Sequence, residues 1–260
     1  MPRPSLGEGG KVRHYEIEAT KIAMAKRKTA GSGSPDGANP GGERSAAPFL
    51  PKTTSIRVLS VASQKCRGCD LYKTATQVVF GAGAIKSRVV FVGEQPGDQE
   101  DRQGIPFVGP AGAMLDKALE DAGIPRSDVY LTNAVKHFKW EPRGKRRIHK
   151  KPRMSEIKAC RPWLEAELRA IKPRIVVCLG AVAAQSIMGS QFKLMQNRGK
   201  LLPAPAGLAE AQGAKAEGPG HVVATIHPSA VLRAPDSEAR RQAYESLVAD
   251  LKVVAKVSRY

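Results

Sequence analysis

Four short runs rich in β-branched residues most constrain this chain: RVVFVG from Arg88, VYLTNAV from Val129, RIVVCLG from Arg174 and HVVATI from His221. Each has the length of a buried strand, and longer segments of helical period lie between and after them. Those segments predict helices over 111–122, 155–171, 181–188 and 237–254, with Ser155 as a plausible cap for the second. Strands alternating with helices favour a parallel sheet covered on its faces by helices. In open sheets of this kind ligands bind outside the carboxyl ends of the strands. The first strand runs into GEQPGDQED, the second ends in TNAVKH and the fourth in HPSAVLR, so three polar clusters converge on one rim.

The rest of the chain adds appendages to that core. Residues 31–51, GSGSPDGANPGGERSAAPFLP, are too poor in apolar surface to offset their ordering entropy and read as a linker. Upstream, HYEIEATKIAMAKRKTA has the character of a short helix but is too short to be a domain. The expected division is therefore a basic, disordered extension over 1–54 and one folded domain over 55–260. A second weak stretch, 204–220, reads as a surface loop between two strands. No run of roughly 18 apolar residues suggests a membrane span, and the N-terminus has no apolar signal region, which together predict a cytoplasmic protein.

Charge narrows the partner. Lys and Arg number 42 against 24 Asp and Glu, a formal net charge of +18 that attracts polyanions, nucleic acid first among them. Solubility, or nonspecific attraction to acidic surfaces, is the plainer reading of the same count. The run KRRIHK at 145–150 concentrates these cations, yet places His149 among them.

Several residues carry candidate chemistry, each with a bland alternative. Cys66 and Cys69 form a C-x2-C pair, and Cys160 and Cys178 follow with a wider spacing. The spacing alone admits an iron–sulfur cluster, a zinc site, or a Cys178 that is only a buried strand residue. GEQPG at 93–97 sets Glu94 at a glycine-bounded turn, where a carboxylate can stabilise positive charge; otherwise it is a plain strand-to-loop turn. Asn133 can match the amide edge of a nucleobase, or simply end a strand. Phe107 can offer a stacking face, or belong to the core. His227, held extended by Pro228, can polarise a substrate or serve as a structural hydrogen-bonding group.

Taken in order, CRGC, GEQPGDQED, GIPFVGPAG, TNAVKH, ACRPWLEAEL, IVVCLG and HPS resemble the family 4 uracil-DNA glycosylases, and KRRIHK resembles their cross-linking branch, UdgX. The likeness runs over about residues 60–255. It implies a three-layer α/β/α sandwich with a central four-stranded parallel sheet, and a structural 4Fe–4S cluster on Cys66, Cys69, Cys160 and Cys178. The family's third and fourth cysteines have a spacing similar to that of the last two here.

The implied activity is excision of uracil flipped from DNA, including single-stranded DNA, by a monomer. The resemblance gives Phe107 the role of stacking on the base, Asn133 that of reading its edge, and Gln95 that of shaping the pocket. His227 would stabilise the departing base, and Glu94 the charge developing on the sugar, with Asp98 and Asp101 in support. In the cross-linking branch His149 would then capture C1′, with Arg147 keeping its loop docked and Lys145, Arg146 and Lys150 meeting phosphates. The alternatives are a conventional hydrolytic family 4 enzyme with many turnovers, and a noncatalytic DNA-binding iron–sulfur protein.

Overall fold

The computed structural model describes residues 44–208 and 219–258. The upstream helix, and most of the expected extension and of the 204–220 loop, lie outside the described residues.

The four expected strands form at the expected places: β2 (Val89–Gly93), β3 (Val129–Asn133), β6 (Ile175–Leu179) and β8 (His221–Thr225). They lie in the order β3-β2-β6-β8 and pair in parallel. The sheet is larger than expected and mixed. β1 (Ala82–Gly83) adds antiparallel to β3 and β7 (Leu201–Pro203) adds antiparallel to β8, giving six strands in all. These edge strands span two and three residues, too few to show an alternating pattern, and β7 ends in a proline that suits only an edge.

Alternate strand residues face opposite layers. Phe91, Leu131, Val177 and Val223 pack with α3 (Pro110–Asp121) and α8 (Ser237–Ser258). Val90, Val92, Val176 and Ala224 pack on the other face with α4 (Met154–Ile171) and α5 (Ala181–Met188). The expected three-layer α/β/α sandwich is thus present. The N-cap of α4 is Arg153 rather than Ser155, two residues earlier, where Glu156 Oε2 accepts the Arg153 backbone N–H at 2.6 Å, the N3 carboxylate half of a capping box.

A third apolar cluster joins α1 (Ile56–Ser63) and Cys66, Cys69 and Phe80 to Ile157, Cys160 and Trp163 of α4. Ala46 belongs to it, buried, and its backbone N–H donates to Ala159 O at 2.8 Å. Packed chain therefore starts ahead of the boundary expected at 54/55. No helix among the described residues is long and apolar enough to cross a membrane.

Three shorter helices, α2 (Asp98–Gln103), α6 (Leu194–Asn197) and α7 (Pro228–Leu232), sit in the connections. KRRIHK does not lie in an irregular loop. It supplies the second strand and one turn residue of a β-hairpin, β4 (Trp140–Arg143) with β5 (Arg146–His149), separate from the main sheet. Gly144 takes φ of 59° at the first of two turn residues, the position where a II′ hairpin turn demands positive φ.

Candidate active site and cysteine cavity

The rim of the sheet collects the expected residues. β2 ends at Gly93 and delivers Glu94 and Gln95; β3 ends at Asn133; β8 runs through Ile226 to His227. Gly93 has to be glycine: a Cβ there would run into Asn133 Oδ1 and stand 2.8 Å from Phe107 Cζ. Asn133 and Phe107 therefore close on the same point. Phe107 holds φ at 58°, a left-handed conformation costly for an aromatic residue, and a Cβ at Gly112 would collide with its carbonyl. Its ring lies nearly parallel to that of His227, with planes 25° apart and centroids 6.3 Å apart.

Among the described residues, His227 is committed on one side and free on the other. Its Nδ1 accepts the Ser229 backbone N–H at 3.1 Å and lies 2.8 Å from Ser229 Oγ. A nitrogen that accepts a backbone proton carries none, so the network assigns the ring proton to Nε2. Burial pushes the His227 pKa down to about 4, aided by the positive charge of Arg233. The site thus presents a neutral N–H donor.

The hairpin brings His149 to this rim. Its Nε2 stands 3.6 Å from Glu94 Oε1, a buried oxygen with no hydrogen-bond partner among the described residues. Burial raises the Glu94 pKa against the opposing charges of Lys151 and Arg233. Partial burial, then Arg233, hold the His149 pKa below the ordinary imidazole value. Arg233 acts on all three groups, yet the sequence offered only a cation six residues beyond His227.

Arg147, expected to keep the hairpin docked, reaches from β5 to the α2 segment. It donates from Nε to Asp98, from Nη1 to Asp101 Oδ2 at 2.6 Å and to Thr76 Oγ1 at 3.1 Å, while its guanidinium lies 5.4 Å from the ring centroids of both Phe138 and Trp140. Asp98 and Asp101 therefore face the hairpin's arginine. Gln95, expected to shape the base pocket, spends its side-chain amide on the hairpin. Its side-chain amide accepts from Lys139 N at 3.1 Å and donates to Lys139 O at 3.2 Å and Lys150 O at 3.0 Å, so it clamps the two stems of the hairpin. Lys145 and Arg146 are exposed at the hairpin tip, and Lys150 pairs with Glu141 at 2.8 Å in an exposed ion pair.

The cysteines separate into three and one. Cys66, Cys69 and Cys160 line one small cavity together with His137, Lys136 and Trp163. Burial raises all three thiols, to about 11 for Cys69 and about 12 for Cys160, and each of these two feels the charge of its cysteine neighbours. Cys178 is not with them. It faces Val90, Val92 and Leu164 between the sheet and its helices, and burial alone pushes its thiol to about 12. The expected four-cysteine set is thereby corrected: Cys178 is an inward residue of β6, pairing across to Val92 and Ala224.

His137, buried and lowered to about 4 by burial, occupies the fourth side of the cavity. Trp163 Nε1 is buried there without a hydrogen-bond partner among the described residues. No group of three His, Cys, Asp or Glu side chains among the described residues is gathered as for a single metal ion; these ring a cavity instead. Three thiols, a neutral imidazole and an orphaned N–H in an apolar shell fit an iron–sulfur cluster, whose sulfurs accept such donors. His137 was visible in TNAVKH as the residue after Lys136, but nothing in its spacing tied it to the cysteines.

Comparison with known proteins places this fold. The family model described as the uracil DNA glycosylase superfamily matches residues 80–252. The chain belongs to that superfamily. It is 40% identical over 185 residues to the type-4 uracil-DNA glycosylase of Archaeoglobus fulgidus, covering 70% of this chain and 83% of that one. It is 36% identical over 193 residues to the type-4 uracil-DNA glycosylase of Thermotoga maritima, covering 74% and 91%. The matched span holds the whole rim, the hairpin, His137 and Cys160.

Proposed function

We propose that this protein excises uracil from DNA and joins itself through His149 to C1′ of the sugar left behind. The observation that carries the second half is the approach of His149 Nε2 to the unpartnered Glu94 Oε1, at the foot of a hairpin clamped by Gln95 and Arg147.

The base must leave the stack before the site can reach its glycosidic bond. Phe107 and His227 supply flat faces beside the flipped base, and Asn133 reads its amide edge. As the C1′–N1 bond breaks, its electron pair goes to the base, where the His227 Nε2–H stabilises the growing negative charge on a carbonyl oxygen. The sugar becomes oxocarbenium-like, and Glu94 stabilises that cation. The Nε2 lone pair of a neutral His149 then bonds C1′. The imidazolium so formed carries the positive charge, balanced by Glu94, and the departed base takes its proton from water. Lys145 and Arg146, exposed at the tip, meet phosphates and contribute affinity independent of sequence.

Single-stranded uracil-containing DNA, run on a denaturing gel after incubation, tests this reading. A slow band that survives heat and detergent is expected. Free uracil with many turnovers and no such band would assign the conventional hydrolytic reaction, the course that the similarity to type-4 enzymes favours. Binding indifferent to uracil and sensitive only to salt would assign a noncatalytic DNA-binding protein.

A 4Fe–4S cluster held by Cys66, Cys69, Cys160 and His137 is the cofactor that the cavity suits, fastening the N-terminal segment to α4. Such a protein is brown, where a zinc protein is colourless. Iron and sulfide analysis should find the cluster retained in Cys178→Val and lost in Cys160→Ser; retention in both would remove the cavity from consideration.

A further inference from the structure

Beneath the rim lies a buried ion pair that the reaction does not use. Lys136 and Glu167 have side chains 1% and 0% exposed. Glu167 accepts from Gly81 N at 2.9 Å, Tyr130 Oη at 3.0 Å and Thr132 Oγ1 at 2.9 Å, besides Lys136 Nζ. The three protons of Lys136 are all spent: on Glu167, on Thr132 Oγ1 at 2.6 Å and on the backbone carbonyl of Asn133 at 2.8 Å.

The last of these bonds has a specific geometric reason. The carbonyl of Asn133 and the N–H of Ala134 belong to one trans peptide and point in opposite directions. That N–H donates to Gly93 O at 2.9 Å, on the β2 side. The carbonyl therefore faces the other edge of β3, past the end of the ladder with antiparallel β1, whose register pairs are Ala82 with Leu131 and Gly83 with Tyr130. A buried strand-end carbonyl is left without a ladder partner, and Lys136, three residues on, reaches back to supply one. The peptide is pinned at both ends, which fixes ψ of Asn133.

We propose that Lys136 is a positioning residue for base recognition: by holding the Asn133 carbonyl, it sets the stance of the Asn133 side chain against Gly93 and Phe107. Glu167 holds the ammonium aimed at that carbonyl from within a dry interior. The Lys136 backbone N–H also donates to Cys160 Sγ at 3.3 Å, so one residue touches both the base-reading strand end and the cysteine cavity. This inference rests on the reading of Asn133 as the residue that recognises uracil.

The test compares affinity for two DNAs: one with 2′-fluoro-deoxyuridine, which resists glycosidic cleavage, and one with a tetrahydrofuran abasic analogue, which has no base to read. In Lys136→Met/Glu167→Gln, which removes both charges together, the uracil DNA should bind about tenfold more weakly and the abasic DNA within about twofold of the unaltered protein. Equal weakening of both, or of neither, overturns the proposal. Glu167→Gln alone takes away the carboxylate that aims the ammonium, so it should also weaken binding of the uracil DNA selectively; an unaltered preference for uracil would overturn the proposal even if the double variant does not fold. Asn133→Ala separates the two claims. If it retains the uracil preference, the reading of Asn133 fails; if it loses the preference while the double variant keeps it, only the role of Lys136 fails.

Discussion

The rim of the sheet and the β4–β5 hairpin both present a histidine to the same site, but they hold it by different means. His227 follows a central strand, with Nδ1 tied to Ser229 and its ring beside Phe107. Its position is set by the sheet itself. His149 sits on an exposed two-stranded hairpin outside that sheet, and a lone hairpin is marginal in water. Its position depends on a few polar contacts: Gln95 at the stems, Arg147 on Asp98 and Asp101, and Trp140 Nε1 donating to Thr74 O at 3.0 Å. In the proposed reaction, recognition and excision belong to the rigid part and capture to the docked part. The two halves of the reaction should therefore come apart under substitution.

The largest separation is expected from His149→Ser. It should abolish the heat-stable DNA adduct while uracil release, measured as free base, continues and turns over. Loss of both together would mean that the hairpin histidine takes part in bond breaking and would erase the distinction. Next comes Arg147→Met. It leaves Asp101, whose side chain is fully buried, with the Thr76 N–H as its remaining hydrogen-bond donor among the described residues, and gives up the cation over two aromatic rings. Breaking such a pair costs about 2–3 kcal/mol, discounted from fully buried cases because Asp98 remains 39% exposed. That energy corresponds to adduct formation slowed roughly fiftyfold, with uracil release changed less than about fivefold. A single-turnover time course following both products would show whether the hairpin alone is affected. Gln95→Ala removes three hydrogen bonds from the stems, each worth about 1 kcal/mol or less in partly solvated surroundings. An adduct rate lower by about tenfold is expected, again with release nearly intact; equal losses would place Gln95 in the base pocket rather than on the hairpin.

These contrasts follow how legible each part was in the sequence. The four central strands and the long helices announce themselves because they are buried on both faces and their periodicity is sustained. The edge strands β1 and β7 do not, since two or three residues pair by backbone alone. The rim residues were readable because they follow immediately on strand ends. Arg147 was readable as a docking residue only through the resemblance, whereas its partners Thr76, Phe138 and Trp140 come from places the one-dimensional pattern does not connect. Cys178 shows the opposite failure: a plausible ligand by spacing, it is turned inward by strand alternation, as its neighbours Val177 and Leu179 face the other layer. His137, one residue from the buried Lys136, needed the cavity itself to be noticed.

Acid gives the mildest way to divide rim from hairpin. In the proposed reaction both histidines act as neutral imidazoles, His227 as an N–H donor and His149 through a lone pair. His227 is pushed to about 4 by burial, so it stays neutral through pH 5. His149, half exposed, is held below its ordinary value of 6.5 by partial burial and by Arg233. A group whose pKa is depressed stays unprotonated down to that depressed value, and protonation below it removes the lone pair. Adduct formation should accordingly be level from pH 8 to 6.5 and then decline several-fold at a pH where uracil release has not yet fallen. Arg233→Gln removes a positive charge that disfavours imidazolium at both sites, so the acid limb of adduct formation should move to higher pH. An unmoved limb would mean that burial alone sets the His149 titration, while a limb shared by adduct and free uracil would assign both steps to one titrating group, Glu94, whose pKa burial raises and which serves both steps.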